Sequence, residues 1–204
     1  MKYFYHPGSP NCRKVSAVIE MLGVDAKYEF VDLPKGKQAQ KEFLAVNLNG
    51  MVPALVDGDT TVLESNCIII YLAEKTGSDL WPKTHHLEIL RWMFWEQSHF
   101  MYAAGMVFYQ KLLKPLLGQE PDEARVTEGV AKFRRHAQAL DDCLNGREWL
   151  VGDAMTLADL AVAAQLTYAK ATDLPMDEFP NVHRWYATIE ELPAWKATHP
   201  ALAG

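Results

Sequence analysis

The stretch Pro7-Gly8-Ser9-Pro10-Asn11-Cys12-Arg13-Lys14-Val15 places a serine three positions before a cysteine. A Cys-x-x-Cys pair at a strand-to-helix turn is a thiol–disulfide site. Here serine occupies the first position, so the chain supplies one sulfur rather than two. Ser9 reads in two ways: as the N-cap of the next helix, or as a hydroxyl donor to a sulfur that arrives with a ligand. The helix N-terminus would add free N–H groups and a positive dipole end, both of which favour an anion. Asn11 is either a turn residue or a second donor to that sulfur. Cys12, a turn into the helix, is expected to be a partly buried structural cysteine.

Two further pairs share this chemistry. Val52-Pro53 stands between a polar loop and a strand. Proline gives no N–H to a ladder, and a cis bond at such a corner would turn the Val52 backbone outward for pairing. Glu64-Ser65 opens a helical pattern and offers a carboxylate, a hydroxyl and free N–H groups at another positive end. Arg13 and Lys14 add positive charge beside the first helix. A surface of this kind suits an extended small peptide that carries both carboxylate and amine groups.

The elements that must position these residues alternate over the first part of the chain. Residues 2–6 and 26–33 read as strands, and residues 11–23 as a helix with Val15, Val18, Ile19 and Leu22 on one face and Gly23 as its stop. Residues 37–47 read as a short helix. Residues 52–63 read as two β runs around Asp57-Gly58, a hairpin signal, and residues 64–77 as a helix closed by Gly77. This β-α-β-α-β-β-α order predicts a small mixed sheet covered by helices. Residues 79–86 break the pattern. Helices are predicted over 87–117, 122–145 and 156–173, with one or two more over 181–200. The fold class is therefore α/β followed by all-α, with domains over 1–78 and 87–204 and a linker over 79–86.

Trp92, Trp95, His99, Tyr102, Met106 and Tyr109 recur at three- and four-residue spacing on one helix face, a pattern of core or dimer packing. His99 reads as a packed histidine, and Cys67 and Cys143 read as core. Among 204 residues, 49% are hydrophobic and the formal net charge is -6, which makes nucleic acid and anionic membranes poor partners. No apolar run has membrane-spanning length, and the first residues lack the pattern of a secretory signal. Three scattered cysteines suggest a reducing cytoplasm. No His or Cys pair has zinc spacing, so no metal is expected.

The segments "SPNCRKV", "NLNGMVPALVDG", "LESNCIIIYLAEK", "WLVGDAMTLADL" and "FPNVHRWYATIEELPAW", in that order, resemble the cytosolic glutathione transferases, in particular their serine-type (theta- and phi-like) bacterial members. The resemblance covers the whole chain. It implies a thioredoxin-like N-terminal domain that binds glutathione, a helical C-terminal domain that helps bind a small hydrophobic electrophile, and a homodimer. By the same resemblance Ser9 matches the catalytic serine, and Asn11 the asparagine of disulfide-reducing relatives. Val52 matches the backbone that pairs with the cysteinyl unit, before a cis-proline matched by Pro53. Glu64 and Ser65 match the pair that holds the γ-glutamyl amine and carboxylate. Gln38, next to Lys37, falls near the position that meets the glycine carboxylate.

Thr156 and Asp159 match the N-capping box of a helix important for folding in this family. Tyr102, Met106 and Tyr109 match positions near the electrophile pocket. The chain departs from the family pattern at Leu48, where a proline is common, and at Met51, where a polar residue is common. The resemblance implies transfer of glutathione to an electrophile. Disulfide or peroxide reduction at the same site, and a non-catalytic binding subunit, are the competing functions. Retention of Ser9, Val52-Pro53 and Glu64-Ser65 argues against the last.

Overall fold

The computed structural model describes residues 1–200, which divide into two compact units. The first comprises Met1–Trp81 and the segment from Glu191 onward; the second is Pro82–Glu190.

In the first unit, β1 (Lys2–Tyr5) leads into α1 (Pro10–Leu22), which returns the chain to β2 (Lys27–Phe30). The strand β2 pairs parallel to β1, with Tyr3 opposite Tyr28. On the other side of β1 runs β3 (Ala54–Asp57), antiparallel, and β4 (Thr60–Leu63) follows it through a hairpin whose Gly58 has φ 59°. That positive φ is the conformation for which glycine is suited in a tight hairpin. The sheet order is β2-β1-β3-β4. Behind it α1 and α3 (Ser65–Thr76) bury Val15, Val18, Ile19, Ile68, Ile69 and Leu72. Both helices stop at a glycine in the left-handed region, Gly23 and Gly77, as the sequence predicts. This is a thioredoxin-like domain.

The helix expected over 37–47 forms in two pieces. A 3₁₀ turn spans Lys37–Ala39, Gln40 is extended at φ -81° and ψ 150°, and only then does α2 (Lys41–Leu44) begin. An extended residue cannot continue an i→i−4 ladder, so the pattern breaks there.

The second unit is helical, and the run expected over 87–117 is continuous but not uniform. The α-helices α4 (His86–Trp95), α5 (Met101–Phe108) and α6 (Lys114–Leu116) are joined by π-helical turns at Glu96–Phe100 and Tyr109–Leu113. Each π turn rotates the side chains that follow, because it closes i→i−5 bonds. The aromatic face therefore does not stay in one environment: Trp92 is buried, Trp95 half-buried, and Tyr102 and Tyr109 exposed. His99 is exposed rather than packed in the core, and its ring stacks on His136 with centroids 5.4 Å apart.

Opposite lies α7 (Glu123–Cys143), capped by Asp122, whose Oδ1 accepts the N–H groups of Ala124 and Arg125. Gly129 lets α5 and α7 approach closely, since a Cβ there would lie 2.8 Å from Val107 Cγ2. The helix expected over 156–173 is α-helical only in α8 (Leu157–Ala164); beyond it the chain turns through i→i−3 bonds such as Gln165 N–H to Val162 O. Next come α9 (Pro180–Glu190) and, back in the first unit, α10 (Pro193–Ala197). The sequence pattern assigns all of residues 87–204 to the helical domain. Instead α10 packs against α1: the Arg13 guanidinium lies 4.2 Å from the Trp195 ring centroid and donates to Trp195 O at 3.1 Å.

Among the buried carboxylates of the helical unit, Asp159 and Glu96 are the deepest. Asp159 caps α8 reciprocally with Thr156 and also accepts Leu150 N–H and Trp185 Nε1–H. Burial pushes its carboxyl above the usual range, and those hydrogen bonds oppose the shift. Glu96, in the first π turn, accepts the Gln165 amide at 2.6 Å. Two expectations about cysteine are corrected here: Cys67 is exposed and Cys143 only half-buried, so neither is core. Cys67 stands on the solvent side of α3, between the buried Asn66 and Ile68. No helix among the described residues is long and apolar enough to cross a membrane.

Candidate active site

The register of the sheet builds the site. Ala54 pairs with Phe4 on one side and Leu63 on the other. Pro53 and Val52 directly precede this paired end of β3, while β1 runs on toward His6 and β4 into Glu64 and Ser65. The loop after β1, the Val52-Pro53 corner and the start of α3 therefore meet at one end of the sheet. The Val52-Pro53 bond is cis, as the sequence suggested, and the ladder of β3 begins only after it at Ala54.

Ser9 is the N-cap of α1, at φ -90° and ψ 121°, with Pro10 as the first helical residue. Its Oγ accepts the backbone N–H of Cys12 at 3.3 Å. The two sequence readings of Ser9 are thus compatible: a lone pair of the oxygen serves the cap, and the hydroxyl proton is a donor. His6 O accepts the Ser9 N–H at 3.0 Å, and His6 Nδ1 accepts the Gly8 N–H at 3.1 Å. An Nδ1 that accepts carries no proton, so the neutral ring bears its hydrogen on Nε2. Burial lowers the His6 pKa, against an opposing pull from Asp32. The His6 ring stacks on Phe30.

Cys12 is 1% exposed, and its Sγ accepts the His6 N–H at 3.5 Å. Burial pushes its thiol up, which disfavours the thiolate needed for redox or nucleophilic chemistry. Asn11, beside Ser9, is half-buried.

Glu64 caps α3 with its backbone. Its φ is 66°, a left-handed conformation that costs a non-glycine residue about 1–3 kcal/mol. Its carbonyl accepts the Ile68 N–H at 2.9 Å, and its side chain is exposed and takes no part in the cap. Ser65 is buried at the first helical position. Strain of this kind is held where the surroundings fix the residue, here between strand end and helix start.

Gln38 sits close by. A Cβ on Gly50 would lie 3.1 Å from Gln38 O, so the 3₁₀ turn packs against the loop that leads to Val52. Gln38 Oε1 is buried without a hydrogen-bond partner among the described residues. Asn47 holds this loop closed: its Nδ2–H donates to Met51 O at 2.7 Å, and its Oδ1 accepts the Asn49 N–H. Met51 and Leu48, the two departures from the family pattern, are both exposed.

Two residues the sequence analysis does not single out, Asn47 and His6, shape the site, and two that it does, Arg13 and Lys14, are placed differently from a charged surface. Arg13 and Lys14 are not solvated charges, since both are buried. Lys14 is 0% exposed, with Nζ 2.9 Å from Asn66 Oδ1. Asn47 and His6 work on loop geometry through partners two to four residues away; Pro7 directly after His6 and Gly50 three residues after Asn47 are the turn signals nearby.

In the helical unit Tyr102, Met106 and Tyr109 line one groove, together with Gly105, Lys114 and Arg125. Among the described residues no cluster of three or more His, Cys, Asp or Glu side chains is arranged to hold a metal ion.

A thioredoxin-like sheet that gathers a capped helix start, a cis-proline and a second helix start at one end, in a chain that continues into a helical unit, defines a two-domain thiol-handling protein. Comparison makes the class specific. Residues 4–79 match the family model of the glutathione S-transferase N-terminal domain, and residues 97–193 that of its C-terminal domain. Glutathione S-transferase 3 of Zea mays is 35% identical over 209 residues, covering 99% of this chain and 94% of that protein. Glutathione S-transferase 2 of Schizosaccharomyces pombe is 30% identical over 222 residues, covering 98% and 95%. A glutathione transferase family member from Pseudomonas fluorescens, solved with two glutathione bound, is similar at TM-score 0.87 and 27% identity, covering 98% of this chain and 92% of that one.

The chain belongs to the glutathione S-transferase family, and it is an enzyme of that class.

Proposed function

We propose that this enzyme binds glutathione at the end of its sheet and activates the thiol through Ser9 for attack on a hydrophobic electrophile. Glutathione lies extended along the corner. Val52 pairs with the cysteinyl backbone beside Pro53, Glu64 meets the γ-glutamyl amine, Ser65 the γ-glutamyl carboxylate, and Gln38 the glycine carboxylate. Asn11 is a second donor to the sulfur. The observation that carries this reading is the Ser9–Cys12 cap, which occupies a lone pair of Oγ and leaves its proton to donate.

The energetics suffice. A free thiol has a pKa of about 8.5, and each tenfold gain in thiolate needs about 1.4 kcal/mol. A hydrogen bond to a charged group contributes about 1.5–3 kcal/mol, and a helix N-terminus about 0.3–1 kcal/mol. Together they make thiolate the dominant form near neutral pH, while Ser9 stays un-ionised. The sulfur then forms a bond to the electrophilic carbon and the leaving group departs with the bonding electrons. The buried, protonated Cys12 supports conjugation rather than a protein-centred redox cycle.

The acceptor binds in the groove of the helical unit that holds Tyr102, Met106 and Tyr109. The enzyme acts as a homodimer, supported by exposed apolar side chains at Leu48 and Met51 in one unit and Leu87 and Phe94 in the other. Three free cysteines support a cytoplasmic setting, and detoxification is the role such conjugation serves. Conjugation of a chlorinated nitroarene by wild type and Ser9→Ala tests the mechanism: equal rates would refute it. Titration with glutathione tests the ligand, and absence of binding at millimolar concentration would refute the whole reading.

A further inference from the structure

The groove of the helical unit has a volume of 610 Å³, and its lining is not uniformly apolar. Its floor is at Gly105, where a side-chain Cβ would meet nothing within 4 Å. Tyr102 and Tyr109 flank that floor along the helical run, 54% and 44% exposed. Seven residues apart, they lie about two turns apart on the same side. A flat ring laid over Gly105 would therefore contact an aromatic side chain at each edge and the Met106 thioether beside it.

Beyond Tyr109 the lining changes to Lys114 and, from α7, Arg125. Lys114 makes no hydrogen bond or ion pair through its side chain among the described residues. The Arg125 guanidinium pairs with Glu128 at 3.9 Å, the outer limit of an ion pair. The groove also contains the carboxylate of Asp122, but its Oδ1 accepts the N–H groups of Ala124 and Arg125 at 3.0 and 3.2 Å. That carboxylate serves the start of α7 and faces backbone donors. One end of the groove thus holds two cationic side chains, Lys114 without an ion pair among the described residues and Arg125 in a long pair with Glu128.

We propose that the preferred acceptor is an aromatic or conjugated electrophile bearing an anionic group, a carboxylate or sulfonate, with its ring over Gly105 and its anion on Lys114 and Arg125. This rests on the reading that the groove is the acceptor site. A neutral acceptor gains only the contacts with Tyr102, Met106 and Tyr109, whereas an anionic one adds charge-assisted hydrogen bonds at the cationic end. Because both cations are partly solvated the gain is moderate, about fivefold in kcat/KM.

The test pairs 4-chloro-3-nitrobenzoate with its methyl ester. In both, the glutathione thiolate bonds to the ring carbon that carries chlorine and chloride leaves, so the substrates differ in charge and not in reaction type. The ratio of kcat/KM for acid over ester is measured in wild type and in the Lys114→Met/Arg125→Met double variant. The expected result is a fall of about fivefold or more in that ratio; an unchanged ratio overturns the proposal. Gly105→Leu adds a branched side chain at a position where a Cβ meets nothing within 4 Å and is expected to raise KM for both substrates. If it leaves both KM values as in wild type, the groove is not the acceptor site and the proposal falls. Glutathione titration runs in parallel. Tight glutathione binding with an unchanged acid-to-ester ratio refutes the anion assignment alone, whereas a wild type that binds no glutathione removes the underlying reading and this proposal with it.

Discussion

Lys14 Nζ and Asn66 Oδ1 lie 2.9 Å apart in the interior of the first unit, joining the second turn of α1 to the first turn of α3. The two helices whose N-termini flank Val52 are thus tied by a buried polar bond, and Asn66 is the immediate neighbour of Ser65. Removing one partner of such a bond leaves the other buried without its match, at about 1.5–3 kcal/mol. Lys14→Met keeps the length of the side chain and removes the donor. It is expected to lower the melting temperature by about 3–10 °C and, in the proposed binding mode with α3 on the γ-glutamyl end, to raise the glutathione KM more than it lowers kcat. A variant with wild-type melting and wild-type KM would show that the tie carries no weight.

In the proposed mechanism Ser9→Ala removes two functions at once. Loss of the cap to Cys12 N–H costs about 1 kcal/mol of stability. Loss of the donor to the bound thiolate is expected to lower kcat/KM by about tenfold to a hundredfold, the equivalent of 1.5–3 kcal/mol. Ser9→Thr keeps the hydroxyl and should recover most of both. The discriminating measurement is the pH profile of conjugation. The apparent thiol pKa rises in Ser9→Ala if Ser9 stabilises the thiolate, and stays where it was if Ser9 is a cap alone.

His6 gives the loop a pH dependence. Its Nδ1 can accept the Gly8 N–H only while unprotonated, and burial lowers its pKa. With the folded value below the unfolded value of about 6.5, the unfolded chain binds the extra proton first. The stabilisation from the neutral ring is therefore complete above that value and is lost as pH falls through the interval down to the folded pKa. Activity is expected to show an acid limb in this window, caused by release of the loop that carries Ser9. His6→Asn, whose Oδ1 can accept the same N–H, should flatten that limb; a limb of unaltered position and depth would exonerate His6.

Much of the fold is legible in the residues because the signals are local. Gly23 and Gly77 end helices just past their last apolar residues, Gly58 marks the hairpin, and Pro53 marks the corner before β3. The site residues that stood out, Ser9, Val52, Glu64 and Ser65, all sit at element ends, where chain direction changes and unpaired backbone groups must be served. What stayed hidden depends on long-range packing. Nothing local distinguishes a solvated Lys14 from one buried between two helices, and nothing near Trp195 says that α10 returns to Arg13. The π turns at Glu96–Phe100 and Tyr109–Leu113 were equally hidden, because a three- and four-residue apolar spacing is shared by α and π geometry over one turn. The positive φ of Glu64 follows from the strand and helix that it connects, not from glutamate itself.

Asp159 is the strongest single dependence of the helical unit. Its Oδ1 accepts Leu150 N–H at 2.9 Å and Trp185 Nε1–H at 3.0 Å, and its Oδ2 accepts Thr156 N–H at 2.8 Å. One carboxylate therefore serves the loop before α8, the cap of α8 and the largest buried side chain of α9. Asp159→Ala leaves these donors buried and unmatched, each at about 1–3 kcal/mol, and a methyl group cannot reach any of them. The expected loss is at least about 3 kcal/mol, or a fall of roughly 6–12 °C in melting temperature for a chain of this length. Asp159→Asn offers one acceptor oxygen but turns an N–H₂ toward another donor, so it should recover only part of the loss. Asp142→Ala, an exposed acid on α7, is the control and should stay within about 0.5 kcal/mol of wild type. Denaturant unfolding distinguishes the cases: Asp159→Ala should shift the midpoint well below that of Asp142→Ala, and coincident midpoints would show that the box is dispensable.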